Sequence, residues 1–253
     1  KEGRNIPAEH NTSVISANLH YGELSPTWVW TAASMQGPQY ANDKDLEHYL
    51  SELTWREFSN YLLYYNNDLD SANFNKKFDN FPWANNQEYL LKWQQGQTGI
   101  PIVDAGMRQL YQTGYMHNRL RMITASFLVK NLMIHWRHGF EWFWDCLADA
   151  DLANNAASWQ WVAGSGADAA PYFRIFNPIL QGQKFDPDGK FTRKYVPELK
   201  YMPKEFLYKP WEAPILVLQA AQVKLGENYP KPIVDLAKSR DAALNAFSSI
   251  KQA

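Results

Sequence analysis

The chain has 253 residues and carries 25 Lys and Arg against 26 Asp and Glu, a formal net charge of -1; that length holds one large domain or two small ones, and one compact unit is expected. With 45% hydrophobic and 20% charged residues, it is too apolar for a disordered chain. A single cysteine, Cys146, excludes an internal disulfide, and no apolar run is long enough to span a membrane, so a reducing, cytoplasmic setting is expected.

In chain order, the first forty residues are rich in Asn, Ser, Thr, Gly and Pro, with a short helix expected after Ser25, where Pro26 suits the first helical position. From Asp45 onward Leu46, Tyr49, Leu50 and Leu53 recur at helical spacing, and Trp55, Phe58 and Leu62 continue the helix on a shifted face. Further helices are expected at 87–95, 103–113, 118–137, 141–150 and 156–163. Gly96, Gly114, Gly139 and Gly164 are expected to end helices in left-handed caps. The stretch 171–210 reads as loop, and a last amphipathic helix is expected from Pro232, with Ile233, Leu236, Leu244, Phe247 and Ile250 along one face. No period-two strand pattern stands out, so the expected class is all-α.

Two features depart from an average globule. One is the aromatic load of 11 Trp, 14 Tyr and 13 Phe; a core alone seldom needs so many indoles, because each buried N–H must find a partner, so recognition of an aromatic cofactor or base is worth testing. The other is charge segregation: residues 105–140 hold no Asp or Glu but carry Arg108, Arg119, Arg121, Lys130 and Arg137, and then Glu141, Asp145, Asp149 and Asp151 reverse the sign. On charge alone, solvated salt bridges between neighbouring helices explain this.

Local motifs need weighing. The letters GSGADA (164–169) match a dinucleotide fingerprint, but a Trp-rich helical segment precedes them and Pro171 follows, so a helix-ending loop is the better reading. His135 and His138 lie one turn apart without a third ligand, and surface histidines are favoured over a metal site. His117, Asn118, Arg119 and Arg121 open an apolar helix, which fits capping and salt bridges as well as a polar ligand. Trp159 and Trp161 are two residues apart, about 200° round a helix, so one is expected to face the interior and the other a cavity or surface.

Taken together, YMHNRLRMITASFLVK (115–130), ELTWREF (52–58), DADLANNAASWQW (149–161) and DAAPYFRIFNP (168–178) strongly resemble the photolyase and cryptochrome family, in family order and across nearly the whole chain. The resemblance implies a multihelical FAD-binding domain over residues 1–253, without the family's amino-terminal α/β antenna domain, so that no antenna chromophore is expected; a start at Lys1 rather than Met suits a fragment. It implies that Thr12, Ser13, Val14, Ile15 and Ser16 in TSVIS hold the FAD phosphates. Tyr49, Glu52, Asn118, Arg121, Asp149, Ala150, Asp151 and Asn155 would line the cofactor, with Arg121 and Asp149 as an ion pair and Asn155 facing flavin N5.

Trp159, Trp136 and Trp83 match the family's electron-carrying tryptophan chain. Glu52, Trp55, Asn118, Arg119, Met122 and Trp161 match the pocket for a cyclobutane pyrimidine dimer, where Glu52 would give a proton or hydrogen bond to the reduced base, and Arg56, Arg119 and Arg174 would hold phosphates of damaged DNA. The implied protein is a monomeric, metal-free photolyase; the alternative is a cryptochrome-type photoreceptor, and a domain that binds DNA without flavin is the third reading. An enzyme for (6-4) photoproducts ranks lower, because it usually has histidines where Asn118 and Met122 stand. Val14 stands where the family usually carries Arg, and Tyr115 where it usually carries Trp. A tyrosine that normally helps to bind FAD would lie just before Lys1.

Overall fold

The computed structural model describes residues 3–169 and 173–251, and among them the protein is all-α, with a single bridge between Leu225 and Tyr229 and no strand. Helix α1 (Ser16–His20) and α2 (Pro26–Gln36) come first, the latter capped by Ser25 with Pro26 in its first turn. Next comes the long α3 (Asp43–Tyr65), capped by Asn42 with Asp43 and Asp45 in its first turn; side-chain oxygens there take up backbone N–H groups that no helical carbonyl can reach. α4 (Gln87–Gln94) and α5 (Pro101–Thr113) follow, and Gly114 ends α5 in a left-handed cap.

The helix expected over 118–137 is two helices. α6 (Asn118–Ser126) runs into a widened π turn (Phe127–Asn131), the chain reverses at Met133 with φ +51°, and α7 (Trp136–Cys146) starts afresh with His135 as its cap. The apolar spacing does not mark the break because every residue of the π turn is buried. The reversal is held by Ala84, whose N–H donates to the Met133 carbonyl at 2.7 Å. α7 therefore lies earlier than the expected 141–150, and Gly139 sits inside it rather than capping anything.

α8 (Leu152–Ala163) also starts earlier than expected, capped by Asp151, and ends at Gly164 with φ +93°. The GSGADA letters form the loop beyond it; Pro171 lies outside the described residues. The stretch read as loop holds two short helices, α9 (Pro178–Phe185) and α10 (Lys190–Tyr195), followed by α11 (Ile215–Ala220). α12 (Leu236–Lys251) begins at Leu236 rather than Pro232.

Two helices organise the packing. α5 is buried along most of its length and touches α4, α6, α9 and α10. α8 touches α3, α6, α7 and the π turn. Trp93, Trp136 and Trp159 lie in the shared core, and the first two satisfy their indole N–H groups on the Thr124 carbonyl at 3.0 Å and Asn73 Oδ1 at 2.9 Å. Asp104, fully buried, accepts from the backbone and hydroxyl of Thr98, the Gly99 N–H and the Tyr229 hydroxyl, tying a distant loop to α5. A second cluster around Phe78, Phe81 and Phe173 anchors α12.

Candidate functional site

The site is built on the roll of α8, and Gln160 fixes that roll. Its side chain is fully buried; the amide donates to the carbonyls of Leu69 at 2.7 Å and Ala72 at 2.9 Å, and its oxygen accepts from Phe74 N–H and the Ser165 hydroxyl. Four bonds to one residue leave α8 no freedom to rotate. The two flanking indoles are thereby aimed apart, with Trp159 only 2% exposed and Trp161 half-buried.

Room for Trp159 comes from Gly139. A Cβ at that position would meet the Trp159 ring at 2.1 Å, so only glycine lets α7 and the indole approach so closely. Phe143 and Trp93 pack edge-on to Trp159 at 4.9 and 6.2 Å between centroids. Trp136 is fully buried, and Trp83 is half-buried. His135 lies between these last two, edge-on to Trp83 at 4.9 Å and stacked on Trp136 at 5.6 Å. Expected as a surface residue, His135 is instead half-buried, caps α7 through Nδ1, and has its pKa lowered to about 4, first by burial and then by the charges of His138 and Arg137. Among the described residues no cluster with metal-ligand composition occurs.

On the polar side, four pieces of chain converge. Arg121 of α6 reaches Asp149 with one nitrogen, at 2.8 and 3.0 Å to its two oxygens, and its Nε donates to the Met116 carbonyl. Burial raises the Asp149 pKa, but the Arg121 charge and hydrogen bonds, with help from the Ser16 side chain, bring the carboxyl below its usual range. Asp151 caps α8 by accepting from Asn154 N–H at 2.9 Å, with His20 at 4.0 Å from its other oxygen. Asn155 is buried and donates its amide to the Phe140 carbonyl at 3.0 Å. Ala150 is buried between the two acids, and Tyr49 is half-buried on α3.

The loop of Thr12, Ser13, Val14, Ile15 and Ser16 meets this polar face at Ser16, whose side chain hydrogen-bonds Asp149. Val14 is exposed with φ +54°, a strained state for a β-branched residue. Ile15 follows at φ -94°, ψ 8°. Such an alternation of left- and right-handed residues turns successive N–H groups toward one side, as in backbone nests for anions. With hydroxyls at Thr12, Ser13 and Ser16, the donor set fits a phosphate, and Asp149, Asp151 and Asn155 offer acceptors and an amide for a polar ring system. These residues fit an FAD.

Trp55, Asn118, Arg119, Met122, Trp161 and Arg174, on α3, α6, α8 and the strap 173–176, are all half-buried or exposed; among them Trp161 and Arg174 line one cavity, and Arg119 feels the Arg174 charge. Arg56 lies on the same helix as Trp55, and its guanidinium donates to the exposed carboxylate of Glu57 at 2.7 Å. Glu52 is engaged by Arg4 at 2.7 Å, and Arg4 also bonds His48. Arg119 donates to Asn5 at 2.5 Å, stacks over Phe185, and feels the charges of Arg4 and Arg174 after its burial. His117 caps α6 through Nδ1, is buried, and has its pKa lowered to about 4 by burial and by Arg119, Arg4 and Arg121. Nε of Arg119 is buried without a partner.

Sequence reasoning missed Arg4, Asn5 and His48, which no periodicity ties to the site, and also Gly139 and Gln160. The WQW spacing was a usable signal for Gln160, since a polar residue between two oppositely facing indoles must itself be satisfied.

Comparisons with known proteins establish the family. A family profile described as the FAD binding domain of DNA photolyase matches residues 49–249. A deoxyribodipyrimidine photo-lyase of Agrobacterium fabrum is 52% identical over the whole of this chain and 52% of its own length. Cryptochrome-2 of Arabidopsis thaliana is 40% identical over 96% of this chain and 41% of its own. The crystal structure of a bacterial class III photolyase from Agrobacterium tumefaciens superposes with a TM-score of 0.96 at 51% identity, covering all of this chain and 52% of that one. This chain therefore belongs to the photolyase family, in its FAD-binding domain. It spans about half the length of the curated relatives it matches, 52% of the first.

Proposed function

We propose that this domain binds FAD and acts on damaged DNA as the helical, catalytic part of a deoxyribodipyrimidine photolyase, splitting cyclobutane pyrimidine dimers in light. One observation carries the reading: Gln160 locks α8 so that Trp159 faces a buried aromatic path while Trp161 faces a surface bearing Arg119 and Arg174. When bound and reduced, the flavin would supply an excited-state electron, which the split dimer returns. The chain's own residues do the rest.

Thr12, Ser13 and Ser16 would hold the phosphates, and Arg121, Asp149, Asp151 and Asn155 the rings. Trp83, Trp136 and Trp159 would form a relay from a half-buried to buried indoles, a reading supported by His135, whose ring lies between those of Trp83 and Trp136. Trp55 and Trp161 would pack against a flipped, damaged pair, and Met122 and Asn118 would complete its pocket; Glu52, once released from Arg4, would donate to the electron-bearing base. Arg119 and Arg174 would hold phosphates. No described helix is long and apolar enough to cross a membrane. A monomer in a reducing, cytoplasmic setting is part of this proposal, and the free, half-buried thiol of Cys146 suits a reducing compartment.

The test is light-dependent reversal of a dimer in a defined oligonucleotide by the FAD-reconstituted protein. Loss of dimers only in light supports repair. If FAD binds and is photoreduced yet dimers persist, the signalling alternative, raised by the likeness to a plant cryptochrome, replaces it. Protein that binds DNA but shows no flavin absorption with excess FAD would leave only the flavin-free reading. Trp159→Phe is expected to slow photoreduction at least tenfold while sparing repair by chemically reduced flavin, as each tenfold corresponds to about 1.4 kcal/mol on the barrier; equal loss of both would remove Trp159 from the relay.

A further inference from the structure

Lys130, on the π turn, is 1% exposed, and no carboxylate pairs with it among the described residues. Its Nζ sits 3.5 Å from the centre of the Phe173 ring and donates to the Arg174 carbonyl at 3.2 Å. Four residues earlier, the Ser126 hydroxyl accepts from Phe176 N–H at 3.3 Å. The strap 173–176 is thus sewn down at two points, by Ser126 at the end of α6 and by Lys130 on the π turn, and the exposed Arg174 side chain sets its guanidinium 4.8 Å over the Phe176 ring. Behind the strap lies a cavity of about 20 Å³ that Lys130 and Trp161 line with Ser126 and Phe173, enough for one water on the ammonium.

Burying an unpaired ammonium opposes folding, and a Met of similar shape would fill the same space without that cost. Desolvation alone lowers the Lys130 pKa to about 7. A group that burdens the fold, placed directly beneath an exposed arginine and beside Trp161, is better explained by what it holds in place.

We propose that Lys130 is a positioning residue that pins the Arg174 backbone, and through it sets the Arg174 guanidinium and the Trp161 wall at the spacing that grips damaged DNA. The inference rests on the DNA-facing reading of the outer side of α8. It assigns to the π turn a role beyond packing: the widened turn brings Lys130 under the strap while Ser126, at the end of α6, holds the strap's far side.

The experiment measures binding of a dimer-containing duplex across a salt series by FAD-loaded wild type, Lys130→Met, Arg174→Ala and the double variant. Lys130→Met is expected to weaken binding roughly tenfold and to reduce the salt slope by about one, as for a lost phosphate contact, and to add little once Arg174 is already Ala. Lys130→Gln, which keeps a donor for the Arg174 carbonyl, is expected to recover most of the affinity, and it carries the test if Lys130→Met does not fold. Additive losses in the double variant, or an unchanged salt slope, would overturn the proposal.

Hydrogen exchange of the Phe176 amide supplies an arm independent of DNA. It should speed up at least tenfold in Lys130→Met, and an unchanged rate would refute the pin. If wild type binds no damaged DNA, the repair reading fails, while the exchange rate still decides whether Lys130 holds the strap.

Discussion

α6 and α7 begin in the same way and end in different chemistry. Each has a histidine at its cap, at φ -58°, ψ 136° for His117 and φ -57°, ψ 136° for His135, and each ring accepts the backbone N–H two residues on at 3.2 Å. Both Nδ1 atoms are therefore acceptors, so the proton of each neutral ring sits on Nε2. Around His117 stand Arg4, Arg119 and Arg121; around His135 stand the rings of Trp83 and Trp136. One capping device thus opens a helix whose first turn is cationic and a helix whose first turn is packed among aromatic rings. The partners brought by tertiary structure decide which.

The sharpest break on the aromatic side is Gly139→Ala. The new Cβ would lie 2.1 Å from the Trp159 ring, and neither the indole, locked by Phe143 and Trp93, nor α8, locked by Gln160, can yield. A loss of about 3 kcal/mol is expected, read as a lowered urea midpoint. A variant as stable as wild type would mean that α7 and α8 can separate, and the rigid aiming of the two indoles would go with it.

On the cationic side the corresponding change is Arg121→Met. It leaves Asp149, whose side chain is 6% exposed, without its partner. About 2 kcal/mol of stability should be lost, less than for a fully buried pair because the Arg121 side chain is 26% exposed. The Asp149 pKa is held low in the folded state, so this contribution is present above the unfolded carboxylate pKa and disappears as pH falls through the folded one. Wild type and variant should therefore converge in acid. A constant difference down to pH 2 would show that the guanidinium acts by packing alone.

How much of this was readable in sequence follows from the range of each interaction. The helical class, α5 with its cap at Gly114, and the opposed indoles of α8 rest on neighbours within a few residues, and pattern alone located them. The break between α6 and α7 depends on Ala84, some fifty residues away, donating to Met133, and no local pattern encodes it. Gly139 looked like a helix end because glycine has two uses, a left-handed turn or a close approach, and only the partner Trp159 distinguishes them. Arg4 and Asn5 come from an irregular segment, so their meeting with Glu52 and Arg119 was invisible, whereas the Arg121–Asp149 pair followed from the long motifs that carry the family resemblance.

A smaller change tests whether the two caps are equivalent as caps. His117→Ala and His135→Ala should each cost about 1 kcal/mol at pH 7, the usual value of a lost side-chain cap. Both rings are neutral there, so the charges around His117 add little. A loss at His135 well above that at His117, measured by thermal or urea unfolding, would show that its stacking between Trp83 and Trp136 outweighs the capping bond.

The subtlest difference appears only in acid. His117→Asn and His135→Asn keep a capping acceptor but cannot titrate, so at pH 7 each should match wild type closely. Both histidines have folded pKa values lowered to about 4 from 6.5. Between those values the unfolded chain binds the proton and the folded chain does not, so wild type loses stability as pH falls from 6.5 toward 4, and each Asn variant should lose less. Burial is the first cause at both sites; three arginines add to it at His117, while at His135 the lowering by His138 and Arg137 is partly offset by Asp79. Added salt screens charges and leaves desolvation untouched. The gain from His117→Asn at pH 4.5 should therefore shrink in high salt more than the gain from His135→Asn, and equal salt responses would place both rings in the same electrostatic surroundings.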